Sequence, residues 1–205
     1  MSDKGKVCII DDDKAVREAL RILLFIEGYR TETFESADQF LARQPLPEAD
    51  VYLLDIRMPG TDGTELHTML KEKSSSVPVI FITGHGDIPL AVSAMRDGAF
   101  DFLTKPFEEG ELLEKLTAAV AHYREIRSDQ QELRQLEQRV SSLTPRETDV
   151  LVHIARGFSN KKVAQELSIS PRTVEIHRAR VMEKMAADSV ASLVRMTTML
   201  NLDLK

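Results

Sequence analysis

The sequence predicts an α/β protein with an all-α end. A doubly wound, parallel five-stranded domain comes first (residues 1–124), then a helical linker (125–140), then a four-helix domain containing a helix-turn-helix (141–205). Three observations carry this. Short apolar runs alternate with helix-period segments through the front half of the chain. From Gly110 onward the spacing is helical and never returns to that of a strand. Two Ser/Thr-Pro helix starts then follow Leu143.

The strands are expected at 7–10, 51–54, 79–82 and 100–103, with a weaker candidate at 30–34. Three are continuously apolar, the pattern of parallel strands covered on both faces. A helix over 14–26 places Val16, Leu20, Leu23 and Leu24 on one side, and further helices are expected at 37–42, 63–73 and 88–97. Such βαβα alternation gives a sheet whose ligands sit beyond the carboxyl ends of its strands. Leu112, Leu113, Leu116 and Val120 suit a helix covering that sheet. Ile126, Leu133 and Val140 then recur every seven residues, with Leu136 and Leu143 at the complementary offset and Asp129 interrupting one seam. One helix over 111–139 is expected, roughly 40 Å at ~1.5 Å per residue, the alternative being two helices with a flexible join near Arg127-Ser128-Asp129. In the last domain Thr144-Pro145-Arg146-Glu147 reads as a capped helix start, and Gly157 ends that helix. A short helix follows at 160–167, a third begins after Ser170-Pro171, and a fourth runs from Ser189 to about Leu200.

With 205 residues and 23.1 kDa, the chain suits two small domains. Its 42% hydrophobic and 29% charged content excludes disorder throughout. No run approaches the ~18 apolar residues of a membrane span, and Met1-Ser2-Asp3-Lys4 shows no signal-peptide pattern. The lone Cys8, read as a core residue, excludes a disulfide framework and a cysteine zinc site, and a cytoplasmic location is expected. The net charge of −6 is uneven: the excess of acid lies in residues 1–124, and residues 144–205 are basic overall. Different partners for the two ends follow.

Asp11, Asp12 and Asp13 follow the first strand, Asp55 the third, Thr83 the fourth, and Lys105 lies just past the fifth. In a parallel sheet these ends converge. Clustered carboxylates raise one another's pKa unless a cation joins them, and Mg²⁺ suits an all-oxygen site. An Asp beside that ion can attack a phosphoryl group. Acids also crowd strand ends and helix N-termini for plain electrostatic reasons, so the ordered set matters more than any member. Asp11-Asp12, Asp55-Ile56-Arg57-Met58-Pro59-Gly60, Thr83-Gly84 and Lys105-Pro106-Phe107 resemble the receiver domain of bacterial two-component response regulators over residues 1–124.

That resemblance implies Asp55 as phosphoacceptor from a sensor histidine kinase. Asp11, Asp12, Asp55 and the backbone carbonyl of Arg57 would hold Mg²⁺; Thr83 and Lys105 would bind phosphoryl oxygens. Phe102 would be the aromatic switch, Lys105-Pro106 a cis peptide, and Asp13 would lie outside the metal set. Asp11-x-Asp13 also resembles haloacid-dehalogenase-type phosphatases, but their downstream acidic pair is missing near Thr83 and Lys105, and Asp55 would have no role.

Leu143–Glu147, Gly157–Ala164 and Ser170–His177 resemble the LuxR/FixJ-type helix-turn-helix domain over residues 141–202. On a helical wheel Val174, Val181 and Met185 share a core face, His177 lies at its edge, and Arg172, Ile176, Ala179 and Glu183 point outward. An outward Ile suits a thymine methyl, and Glu175 suits cytosine N4. Thr173 belongs to the same expected DNA surface. Lys161, Lys162, Arg180 and Lys184 are expected on phosphates, which position without specifying. The combined resemblance implies a non-enzymatic transcription factor, an activator close to the FixJ type, with promoter DNA and RNA polymerase as partners and nitrogen-fixation or oxygen-responsive genes as targets. It would form a homodimer on phosphorylation. Two surfaces are candidates for that dimer: Ile88, Val92 and Arg96 with Asp101, or the last helix with Leu193, Val194, Met196, Met199 and Leu200.

Overall fold

A computed structural model describes residues 3–84 and 88–200, with only the backbone of Ile88 described. The chain forms two compact units, residues 1–127 and 128–205. The first contains β1 (Lys6–Ile10), α1 (Lys14–Ile26), β2 (Arg30–Phe34), α2 (Ala37–Leu41), β3 (Val51–Asp55), α3 (Gly63–Glu72), β4 (Val79–Thr83), α4 (Ile88–Arg96) and β5 (Asp101–Thr104). Helix α5 (Glu109–Ser141) is continuous, as the heptad spacing predicts, and about 50 Å long at ~1.5 Å per residue. α6 (Pro145–Ala155), α7 (Asn160–Glu166), α8 (Pro171–Met185) and α9 (Val190–Met199) follow.

The five strands are all parallel, in the order β2-β1-β3-β4-β5. Alternation along each central strand divides its side chains between two cores. Cys8, Ile10, Tyr52, Leu54, Val79 and Phe81 meet α2, α3 and α4 through Phe40, Leu66 and Ala91. Val7, Ile9, Val51, Leu53, Ile80 and Ile82 meet Leu20 and Leu24 of α1 and Leu112, Leu116 and Val120 of α5. Burying a Leu or Ile side chain contributes about 1.5–3 kcal/mol. These double-faced strands therefore dominate the stability of the unit. The order reverses direction between β1 and β3, and the crevice at their carboxyl ends holds Asp11, Asp12 and Asp55.

Local signals end the elements where the sequence places them, within a residue or two. Asp13 caps α1, accepting from the Ala15 and Val16 N–H groups, so its carboxylate serves the helix. Asp62 and Glu65 form a capping box at α3. Gly63 there is obligatory: a Cβ would lie 2.1 Å from the Asp55 carbonyl oxygen. That close approach packs α3 directly onto the end of β3.

In the second unit Val150, Leu151, Ile154, Val163, Val174, Val181, Met185 and Leu193 form one core. Among the described residues no helix is long and apolar enough to cross a membrane.

Candidate functional site

Asp11 and Asp55 are buried at 0% and 7% exposure, and Asp12 beside them is exposed. One oxygen from each of the three lies within 4.8 Å of the others. Lys105, the residue after β5 and the first of a cis Lys105-Pro106 bond, donates to Asp11 Oδ2 and to Asp55 Oδ1, both at 2.9 Å. Thr83 is buried at the end of β4, and its hydroxyl donates to the Gly84 carbonyl at 3.0 Å. Arg17 donates to the Asp11 carbonyl at 2.6 Å and fixes the loop entering α1.

The electrostatics are unbalanced. Burial pushes the Asp55 carboxyl above its ordinary pKa, with Asp11 and Asp12 adding repulsion, and Lys105 pulls it only part of the way back. For Lys105, burial works against the ammonium but is outweighed by its bonds to Asp11 and Asp55, so its pKa is raised. Both shifts balance burial against the Lys105 contact with Asp11 and Asp55: burial wins at Asp55, and the contact wins at Lys105. An all-oxygen set with surplus negative charge fits Mg²⁺, which completes its shell with water and phosphate oxygens.

The second unit holds the outward residues of α8. Arg172, Glu175, Ile176, Ala179 and Arg180 are exposed, Ile176 at 49%. Thr173 is half-buried, and its hydroxyl is 2.8 Å from that of the capping Ser170. Lys161 and Lys162 are exposed on α7, with the Lys162 ammonium 4.1 Å from the Phe158 ring centre. His177 sits at the core edge with Nδ1 buried and no hydrogen-bond partner among the described residues.

Residues 7–117 match the response regulator receiver domain, and residues 141–197 match the luxR family of bacterial regulatory proteins. The chain is 42% identical to transcriptional regulatory protein FixJ of Bradyrhizobium diazoefficiens over 96% of both proteins. It is 44% identical to response regulator protein TodT of Pseudomonas putida, over 96% of this chain and 87% of TodT. Among solved structures, response regulator StyR superposes with a TM-score of 0.87 at 44% identity, covering 94% of this chain and 98% of that one. The chain is a two-component response regulator. It belongs to the branch with a LuxR-type DNA-binding domain, a class of transcription factors and not of enzymes.

In this response regulator the expected acidic residues come together, and so do Thr83 and Lys105. Phe102 is half-buried against the core that includes Phe81. One residue has a different setting from the one expected. Lys184, read from the sequence as a phosphate contact, donates to Glu147 Oε2 at 2.6 Å and to the Ser142 carbonyl at 3.0 Å. It braces α8 against the start of α6. Glu147 is itself the N3 residue of the α6 capping box, and its buried carboxylate accepts from the Thr144 N–H at 2.9 Å.

On the two candidate dimer surfaces, Val92 is 41% exposed and Arg96 is exposed, but Asp101 already pairs with Lys115 at 2.7 Å. The Ile88 side chain lies outside the described residues. On α9, Leu193 is core and Met196 packs against it, leaving Met199 exposed at 45%. Sequence reasoning missed Arg178, which donates to Asn160 Oδ1 at 3.2 Å and ties α8 to the first turn of α7. The two residues are 18 apart, and no local spacing signals the pair.

Proposed function

We propose that this response regulator accepts a phosphoryl group on Asp55 from the phosphohistidine of a sensor kinase, dimerises, and binds promoter DNA as a transcriptional activator. The observation that carries the reading is Lys105 bridging Asp11 and Asp55 at 2.9 Å in a site with surplus carboxylate. An Asp55 oxygen forms the new O–P bond as the N–P bond of the donor breaks, and the departing imidazole takes up a proton. Asp11, Asp12, Asp55 and the Arg57 backbone carbonyl would hold Mg²⁺, which would supply charge neutralisation for the phosphoryl oxygens. Lys105 moves a hydrogen bond from Asp55 to a phosphoryl oxygen. Thr83 turns its hydroxyl from the Gly84 carbonyl to another, and Phe102 fills the space vacated.

The Val92 and Arg96 face of α4 then forms a two-fold contact. Its charges contribute only about 0–1 kcal/mol per exposed pair, so apolar burial supplies the affinity. DNA is met by α8, with Ile176 and Glu175 at base edges, Arg172, Thr173 and Ala179 along the groove, and Lys161, Lys162 and Arg180 on phosphates. RNA polymerase is the partner at the promoter. The nitrogen-fixation or oxygen-responsive genes implied by the FixJ type are one target set among several, since TodT is equally similar.

The test is labelled phosphotransfer followed by footprinting and sedimentation. Wild type should take up label, dimerise and sharpen its footprint. Val92→Glu should take up label but remain monomeric and bind the operator much more weakly. Equal dimer fractions would move the dimer to α9 or α5.

A further inference from the structure

At the amino end of β4, opposite the acidic crevice, a cavity of about 370 Å³ opens between the end of α3, the turns into β4 and β5, and α5. That size falls in the range of small-ligand pockets, roughly 300–1,000 Å³. Its wall is apolar where Leu70, Val79, Phe100 and Ile126 line it. Its polar side chains are His67, Lys71, Ser75, Ser76 and His122. None of the described residues lining it is acidic.

His67 makes this cavity more than a surface irregularity. It lies on the buried face of α3 at 5% exposure, where the helix otherwise places Leu66 and Leu70. Its ring meets the edge of Phe81, with centroids 5.6 Å apart, and makes no hydrogen bond among the described residues. Burial lowers its pKa, with the nearby Lys71 charge acting in the same direction and Asp97 opposing it; a neutral imidazole keeps one N–H to donate. Lys71 donates to the Asp97 carbonyl and keeps further donors available. His122, on the opposite wall, lies against Phe100 with its ring tilted by 34°.

We propose that this cavity is a binding site for a small organic anion, a monocarboxylate with an apolar body. The apolar wall takes the body; His67, Lys71 and the two serines supply donors to the carboxylate. No acid is among the described lining residues, and Lys71 stands between the cavity and Asp97, the carboxylate whose charge reaches His67. The site is separate from the phosphoryl chemistry and does not depend on it.

Benzoate and hexanoate, each with its neutral alcohol counterpart, are the probes, titrated into the full-length chain and followed by NMR of the backbone amides and histidine rings. Saturable shifts confined to Ser75, Ser76, Gly98, Ala99 and the His67 and His122 rings are expected, with the carboxylates binding at least tenfold more tightly than the alcohols. His67→Leu should weaken carboxylate binding at least tenfold, and Lys71→Gln severalfold, with melting temperature confirming that each variant is folded. Shifts that fail to saturate, that spread over other surfaces, or that are equal for acid and alcohol overturn the proposal. So does full binding by both folded variants. If His67→Leu does not fold, the acid-to-alcohol ratio in wild type and the Lys71→Gln titration decide the matter.

Discussion

Two buried carboxylates in this response regulator each meet a lysine, and their acidities move in opposite directions. Asp55 shares Lys105 with Asp11, and burial raises its pKa. Glu147 has Lys184 to itself, accepts from the Thr144 backbone as well, and is lowered to about 2. Burial against hydrogen bonding decides the sign: Lys105 offsets only part of the desolvation of Asp55, whereas the bonds from Lys184 and Thr144 outweigh it at Glu147. One ammonium against one carboxylate makes a brace; one ammonium against three leaves a charge deficit that a cation or a new covalent group relieves. The first arrangement belongs to a structural joint, the second to a reactive site.

The largest effect that separates them is on chemistry. Asp55→Asn should reduce phosphoryl uptake from acetyl phosphate or a phosphorylated kinase by at least ~100-fold, the loss of a nucleophile. It should leave the melting temperature of the metal-free receiver unchanged or higher, because it removes an ion that burial disfavours. A marked drop in melting temperature would make Asp55 a structural partner of Lys105, like Glu147 with Lys184. Next in size is Lys105→Met. It leaves three acids uncompensated and should cost about 3 kcal/mol in chelator, as removing one member of a buried pair does. Added Mg²⁺ should recover much of that loss, as read by denaturant unfolding.

Acid separates the two sites further. Glu147 has a folded pKa near 2, below its ordinary value of 4.5, so its contribution is complete above about 4.5 and lost as pH falls toward 2. Asp55 is raised, so its ionisation opposes folding, and that opposition is relieved as pH falls through its folded pKa. Amide exchange followed from pH 7 to 3 should show α6 and α8 losing protection through this effect, with the Asp55 term acting the other way. Thr144→Ala, which removes half of the capping box, should cost about 1 kcal/mol.

The smallest effect concerns Lys184. Lys184→Gln should lower the melting temperature of the helical unit and leave the salt dependence of DNA binding nearly unchanged. Lys161→Gln should do the reverse, reducing the salt slope by about 1. Equal slopes for the two variants would return Lys184 to the phosphate contacts.

What could be read in the sequence follows from these same distinctions. Strand and helix limits were legible because apolar spacing and Ser/Thr/Asp caps are local signals: α1 runs Lys14–Ile26, and Thr144-Pro145 opens α6. The acidic crevice was legible because its members all stand at strand ends, which a parallel sheet brings together. Pairs joined across long stretches of chain were not. Lys184 and Glu147 are 37 residues apart, and Arg178 and Asn160 are on different helices. A helical wheel gives the face a lysine occupies but not the carboxylate it reaches. Ile22, Phe25 and Ile26 on α1 are exposed at 51%, 68% and 65%, and helical spacing that places a core face does not signal apolar residues lying off it.

The central claim is that the surplus charge around Asp55 marks the acceptor. Mass mapping after treatment with acetyl phosphate and Mg²⁺ tests it most directly. The account predicts one phosphoryl group per chain, carried on the peptide containing Asp55 and absent from Asp55→Asn. Stoichiometric phosphate on Asp11, Asp12 or Asp13, or undiminished uptake by Asp55→Asn, would contradict it.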